Sequence, residues 1–253
     1  MKTKTVCISI AESPRRRRFQ KTAEKLGVDF EFVDATTRQD LLAGLILDNC
    51  TIDITDLSWA THEQHDVRRS TGPLGFGEIG CAYSHIRCWQ MGRAEDLDFL
   101  VVFEDDAALE RALEPKDFPD NDVDMLYLSN RMPSNEDGET WGYGAGLEGY
   151  ILSRNGMRKA LRILEKLYMP IDLQVLAHHE SQGSYGHGLT KYRRNEIDQD
   201  SLLKARVLKH RVCRNGFGSS TVFRQGVKAR ALFFAARNLE SMIGGERIVR
   251  WCK

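Results

Sequence analysis

The stretch Phe99-Leu100-Val101-Val102-Phe103-Glu104-Asp105-Asp106 decides the fold. Five apolar residues in a row, two of them β-branched, have the length of a strand and no polar side. A strand of that kind is buried on both faces, as in the middle of a parallel sheet. It runs directly into three carboxylates. Adjacent carboxylates repel, and burial raises their pKa values. A divalent cation resolves the conflict, because Mn²⁺ or Mg²⁺ takes oxygen ligands and shares itself with substrate phosphates. Open α/β sheets bind ligands at the carboxyl ends of their strands. Glu104-Asp105-Asp106 therefore reads as a metal–diphosphate site. The alternative is an acidic strand-to-loop cap in solvent.

Toward the N-terminus the chain supplies the parallel partners. Val6-Cys7-Ile8-Ser9-Ile10 reads as a buried strand. Ser13-Pro14 then starts a helix, with Ser as N-cap and Pro at the first position. That helix runs to about Leu26 and stops at Gly27. Asp29 to Val33 alternates and is a second strand, so the opening is β-α-β and the class is α/β. Leu41 to Leu47 reads as a short helix, Thr51 to Leu57 as a strand, and His62 to Pro73 as loop. Gly77 to Gly92 follows the helical period as an amphipathic helix. Beyond the acidic triplet, Val123 to Leu128 and Tyr150 to Leu152 are strands, and helices are expected over Arg154 to Leu167 and Val227 to Ile243. With no repeat or low-complexity linker, the expectation is one domain over residues 1–253.

The 253 residues carry 36 Lys and Arg against 36 Asp and Glu, so net charge does not advertise a polyanion and no nucleic-acid partner is expected. The charge is uneven. Arg15 to Arg18 is a basic run, Glu95 to Asp124 is acidic, and the chain after Lys204 is basic, which reads either as cation and anion binding together or as solvated faces. Six cysteines occur without a CxxC pair, and the apolar run Val6 to Ile10 is too short for an export signal or a membrane span. Reduced thiols in a cytoplasmic protein are the expectation. A tail of about 224–253 mixes Arg and Lys with Leu, Phe, Ile and Trp. It reads as a core-packed helix or as a segment for peripheral attachment to an anionic membrane face.

Four blocks carry a resemblance. They are Ile8-Ser9-Ile10-Ala11-Glu12-Ser13-Pro14-Arg15-Arg16-Arg17 with Leu26 to Ala35; Gly77-Glu78-Ile79-Gly80-Cys81-Ala82-Tyr83-Ser84-His85-Ile86 with Trp89-Gln90; Val101 to Asp106; and Gly149-Tyr150-Ile151-Leu152-Ser153-Arg154-Asn155-Gly156 with Pro170-Ile171-Asp172. In this order they resemble glycosyltransferase family 25, the lipopolysaccharide and collagen galactosyltransferase group. The resemblance implies a GT-A-like, Rossmann-like α/β fold with a mostly parallel central sheet flanked by helices. It implies an inverting transfer of a hexose, usually galactose, from a UDP-sugar to a glycan or lipid-linked saccharide acceptor in lipopolysaccharide or cell-surface glycan synthesis. Two departures stand out. The first strand lacks the family's Leu-Lys after Ser9, and Leu173 to Asp200 is unusually rich in His and Gly.

The family pattern assigns Glu104, Asp105 and Asp106 to the metal and the sugar nucleotide. Asp106 and Glu104 are the candidate ligands for Mn²⁺ or Mg²⁺, and Asp105 is the candidate for donor hydroxyls. Arg15 or Arg16 at a helix N-terminus suits the diphosphate or the base of the donor, and Ile10 lies in the same donor-side block. Ser84 and His85 are placed toward the sugar or in support of the acidic loop, with a packed core histidine as the other reading. Cys81, His85 and Cys88 share a helix face, but zinc is rejected because no fourth ligand has a recognisable spacing. An inverting transfer needs a base. Asp172 is the first candidate and Glu148 the second, while the other reading of Asp172 is a helix N-cap. His178, His179, His187 and His210 are read as surface residues. The competing functions are a metal-dependent phosphotransferase or hydrolase, and a non-catalytic glycan-binding relative of the same fold.

Overall fold

The computed structural model describes residues 1–42, 51–52, 74, 76–120, 122–129, 134, 138, 146–167, 170–180 and 198–216. Its strands are β1 (Thr3–Ser9), β2 (Glu31–Asp34), β3 (Thr51–Ile52), β4 (Phe99–Glu104), β5 (Ala107–Leu109), β6 (Met125–Tyr127), β7 (Gly149–Ser153), β8 (Lys166–Leu167), β9 (Ala205–Val207) and β10 (Cys213–Asn215). Its α-helices are α1 (Pro14–Leu26), α2 (Arg38–Leu42), α3 (Phe76–Ala94), α4 (Arg154–Ile163) and α5 (Ile171–Ala177). Six strands form the central sheet in the order β2-β1-β4-β7-β6-β9. β1 is parallel to both β2 and β4, and β6 is parallel to β9. β7 runs against both of its neighbours, β4 and β6. The expected α/β class is the one observed, with a mostly parallel central sheet flanked by helices.

β4 is buried along its apolar length because both of its faces are covered. Phe99, Val101 and Phe103 point into the core that includes Phe19 and Ala23 of α1. Leu100 and Val102 point into the opposite core, under α3, α4 and α5. This is the period of two that any strand must show, and each large side chain so buried contributes about 1.5–3 kcal/mol. α1 forms where its punctuation predicts. The Ser13 hydroxyl accepts from the Arg15 amide at 3.1 Å, Pro14 opens the first turn, and Gly27 closes the helix at φ 66°. The Phe19 ring then packs among Phe30, Phe32 and Phe103 at centroid distances of 5.1, 6.4 and 5.7 Å.

Several boundaries differ from expectation. α3 is not amphipathic: Ile79, Gly80, Ala82 to Ile86, Cys88, Trp89 and Gly92 are all buried, so it is enclosed on most of its circumference. Gly80 allows this, because a Cβ there would lie 2.4 Å from the Thr36 carbonyl oxygen. α4 ends at Ile163 rather than Leu167, since Lys166–Leu167 leave the helix to pair with β3. α2 begins earlier than the helix expected over Leu41 to Leu47, whose end lies outside the described residues, as does most of the expected strand Thr51 to Leu57. The His62 to Pro73 loop and the Val227 to Ile243 helix also lie outside them. No helix among the described residues is long and apolar enough to cross a membrane.

Candidate active site

The carboxyl ends of β1, β2 and β4 meet at one edge of the sheet. Because β7 is reversed, its start brings Glu148 to the same edge. The acidic loop after β4 is pinned from several sides. The Glu104 amide donates to the Glu148 carbonyl at 3.0 Å, and the Asp105 amide donates to the Ile8 carbonyl at 3.0 Å. The Ser9 hydroxyl donates to Asp105 Oδ2 at 2.8 Å. The Gly216 amide donates to the Asp106 carbonyl at 2.7 Å, an approach a side chain would block, since a Cβ there would lie 2.5 Å from that oxygen.

The electrostatics follow from that crowding. Burial, then the charge of Glu104, pushes the Asp106 carboxyl up to about 7 against the opposing pull of Arg15. Asp105 is also raised by burial, and the Ser9 hydroxyl and Arg15 hold it back. Arg15 Nη1 stands 3.8 Å from Asp105 and 3.9 Å from Asp106, close enough to act as a charge but too far to hydrogen-bond. Asp106 Oδ1 is buried and has no hydrogen-bond partner. Buried polar atoms are almost always satisfied, so an unmatched carboxylate oxygen beside two further carboxylates fits a hard divalent cation with oxygen ligands.

Of the arginine run, Arg15 faces the acidic loop. Arg16 turns to β2, pairs with Asp34 and lies 4.1 Å over the Phe32 ring, while Arg17 and Arg18 are exposed. Ile10, at 40% exposure, ends the same edge beyond β1. Ser84 is buried, with its hydroxyl donating to the Gly80 carbonyl at 2.7 Å and accepting from the Thr36 amide at 2.8 Å, which commits it to the packing of α3. His85 is fully buried, with Nε2 3.1 Å from Glu104 Oε1 and Nδ1 2.7 Å from the Tyr150 hydroxyl. Cys81, His85 and Glu104 offer ligand atoms within 4.8 Å of one another, whereas Cys88 is in the core.

The two base candidates are placed differently. Glu148 is 2% exposed, accepts from the Ser129 hydroxyl at 2.8 Å, and adds its charge to those acting on Asp106. Asp172 is half-buried in the first turn of α5. Pro170 is the N-cap residue there, so Asp172 is not the cap, although its Oδ1 accepts from the Leu173 amide at 2.9 Å. Burial, then the charges of Glu104 and Asp172, raises the Cys81 thiol. Burial, then Asp172 and Glu148, raises the Tyr127 hydroxyl. Asp172 therefore acts as a charge on Cys81 and Tyr127.

Two histidines read as surface residues are buried: His178 at 6% and His179 at 1% exposure. They follow α5 into the core, and His179 Nε2 lies 3.1 Å from the Tyr127 hydroxyl. His210 is exposed as expected, and His187 lies outside the described residues. Sequence reasoning did not single out Ser9, Ser129, Tyr150 or Gly216. Ser9 and Tyr150 sit inside the quoted blocks, but nothing local distinguishes a buried hydroxyl that holds a carboxylate from one that fills space.

The site is a carboxylate cluster with one arginine beside it, at the carboxyl edge of the central sheet of an α/β protein. The profile of glycosyltransferase family 25, described as LPS biosynthesis proteins, matches residues 2–175, and the chain belongs to that family. A Haemophilus influenzae protein bearing a provisional glycosyltransferase name is 27% identical over 178 residues, covering 65% of this chain and 57% of that protein. Procollagen galactosyltransferase 1-B of Xenopus laevis is 28% identical over 178 residues, covering 62% and 28%. Inactive glycosyltransferase 25 family member 3 of Mus musculus is 27% identical over 172 residues, covering 61% and 28%. The chain thus spans just over half of the bacterial relative and under a third of the animal ones. A crystal structure of a glycosyltransferase involved in glycosylation of the PBCV-1 major capsid aligns over 82% of this chain and 81% of that one, with 9% identity and a TM-score of 0.37, too low to bear on function.

Proposed function

We propose that the chain is an inverting glycosyltransferase that moves a hexose, galactose first among them, from a UDP-sugar to a glycan or lipid-linked saccharide acceptor. Lipopolysaccharide or cell-surface glycan synthesis is the setting this reading implies. The observation that carries it is the buried, unpartnered Asp106 oxygen beside Glu104 and Asp105, with Arg15 within 4 Å. Glu104 and Asp106 would hold Mn²⁺ or Mg²⁺, which when bound neutralises charge on the leaving diphosphate. Arg15 contributes a fixed positive charge beside those carboxylates, suited to the same phosphates. Asp105, held by Ser9, is placed to accept from donor hydroxyls. Asp172 takes the proton of the acceptor hydroxyl as its oxygen attacks the anomeric carbon, and the bond to UDP breaks in the same displacement. Glu148, tied to Ser129 and grouped with the acidic loop, is the alternative base.

The test is a screen of UDP-sugars with Mn²⁺, reading UDP release with and without saccharide acceptors. Acceptor-dependent UDP release from one sugar supports the proposal. Release of free phosphate or free sugar regardless of acceptor would make it a hydrolase. Glycan binding without turnover of any donor would make it a binding relative, as the mouse protein's name calls that relative inactive.

A further inference from the structure

One buried chain of polar groups joins three separate stretches of sequence and ends on the acidic loop. Trp89 Nε1 lies 2.8 Å from the Tyr150 hydroxyl oxygen, that oxygen lies 2.7 Å from His85 Nδ1, and His85 Nε2 lies 3.1 Å from Glu104 Oε1. Trp89, Tyr150 and His85 are at most 1% exposed, so water does not rescue an unmatched member. The direction of the chain follows from the donor inventory. An indole nitrogen only donates, so the Tyr150 oxygen accepts from Trp89. The Tyr150 hydrogen is then directed to the remaining neighbour, His85 Nδ1, which must be the bare nitrogen. The ring hydrogen of His85 is therefore on Nε2, and it donates to Glu104 Oε1. The opposite polarity would point two hydrogens at the Tyr150 oxygen, strand its own hydrogen in the core, and set a bare Nε2 against a carboxylate.

We infer that Tyr150 and Trp89 act as remote positioning residues: they fix the tautomer of His85, and His85 in turn holds one oxygen of Glu104 so that the carboxylate presents its other oxygen in a set orientation. Partners of this kind orient the groups that hold a cation. The inference assigns Tyr150 and Trp89 a role beyond packing, and it rests on the proposed donor site only for what Glu104 does next.

Two measurements on the full chain test it. The first is ¹⁵N NMR of labelled histidine side chains, with His85 assigned by its loss in His85→Gln. The expected result is hydrogen on Nε2 and a bare Nδ1 in the wild type, and loss of that single tautomer in Tyr150→Phe. Hydrogen on Nδ1 in the wild type overturns the inference. The second compares His85→Gln with His85→Asn by calorimetry of UDP with Mn²⁺, after thermal melts confirm that both fold. A glutamine amide reaches the Nε2 position and an asparagine amide only the Nδ1 position. Glutamine should therefore retain most of the affinity, and asparagine should lose about 10- to 100-fold. Equal losses would reduce His85 to packing and overturn the inference. Failure of the wild type to bind UDP would sink the donor reading instead, and the NMR result would still decide the tautomer.

Discussion

Replacing Asp106 by Asn should make the protein more stable in the absence of metal, not less. The Asp106 carboxyl is raised from 3.8 to about 7, first by burial and then by Glu104. Between those values the folded state holds a proton that the unfolded state has released, so stability falls as pH rises through this window. At 1.36 kcal/mol per pKa unit the loss reaches about 4 kcal/mol by pH 8. That figure is an upper limit, because the repulsion is shared with Glu104 and Asp105. Asn keeps the shape and removes the charge. Urea unfolding in chelator should show Asp106→Asn more stable than wild type at pH 8, by up to about 4 kcal/mol, with the gap closing toward pH 4. Adding Mn²⁺ should raise the stability of the wild type at pH 8 and leave the variant unmoved. A variant less stable at pH 8, or a gap independent of pH, would refute the view that this loop is held under charge repulsion.

Three further outcomes follow from the same geometry. Asp172→Asn should fold and bind UDP normally but lose at least ~100-fold in turnover, the scale of a general base; activity retained there but lost in Glu148→Gln would exchange the two roles. Arg15→Ala should weaken UDP binding measured by calorimetry, whereas Arg16→Ala, whose side chain is held by Asp34 and Phe32, should leave it near wild type; equal effects would contradict the placement. His179 is lowered from 6.5 to about 3 by burial and by His178. The unfolded state therefore takes up a proton below pH 6.5 that the folded state refuses, and this contribution destabilises by about 2 kcal/mol at pH 5. His179→Gln should flatten that part of the pH profile of urea unfolding, and an unchanged slope between pH 6.5 and 5 would show that His179 is not the source.

How much the sequence reveals depends on whether the signal is local. α1 is legible from Ser13-Pro14 to Gly27 because its caps are chemistry within a few residues. β4 is legible because five apolar residues admit no solvated face. The reversal of β7 is not legible: Tyr150-Ile151-Leu152 reads as a strand, but its direction is set by pairing with Phe99 to Phe103 some 50 residues away. The enclosure of α3 is hidden for a similar reason, since the Cβ-free approach of Gly80 to Thr36 depends on a loop more than 40 residues earlier. At the site, the acidic triplet could be named from residue type and position, but the arginine run could be narrowed only to Arg15 or Arg16, and the fold alone turns Arg15 toward the carboxylates. The supports could not be named, because Ser9, Tyr150 and Gly216 matter through single contacts made across the fold.

Calorimetry of UDP binding to the wild type and Asp106→Asn, each in excess Mn²⁺ and in excess EDTA, reads directly whether the acidic loop holds the nucleotide through a cation. Mn²⁺ should tighten UDP binding to the wild type by at least about 10-fold, since a divalent cation is shared between carboxylates and substrate phosphates, and Asp106→Asn should lose this gain. Equal UDP affinity in Mn²⁺ and EDTA, or a gain that survives Asp106→Asn, would contradict that role of the loop.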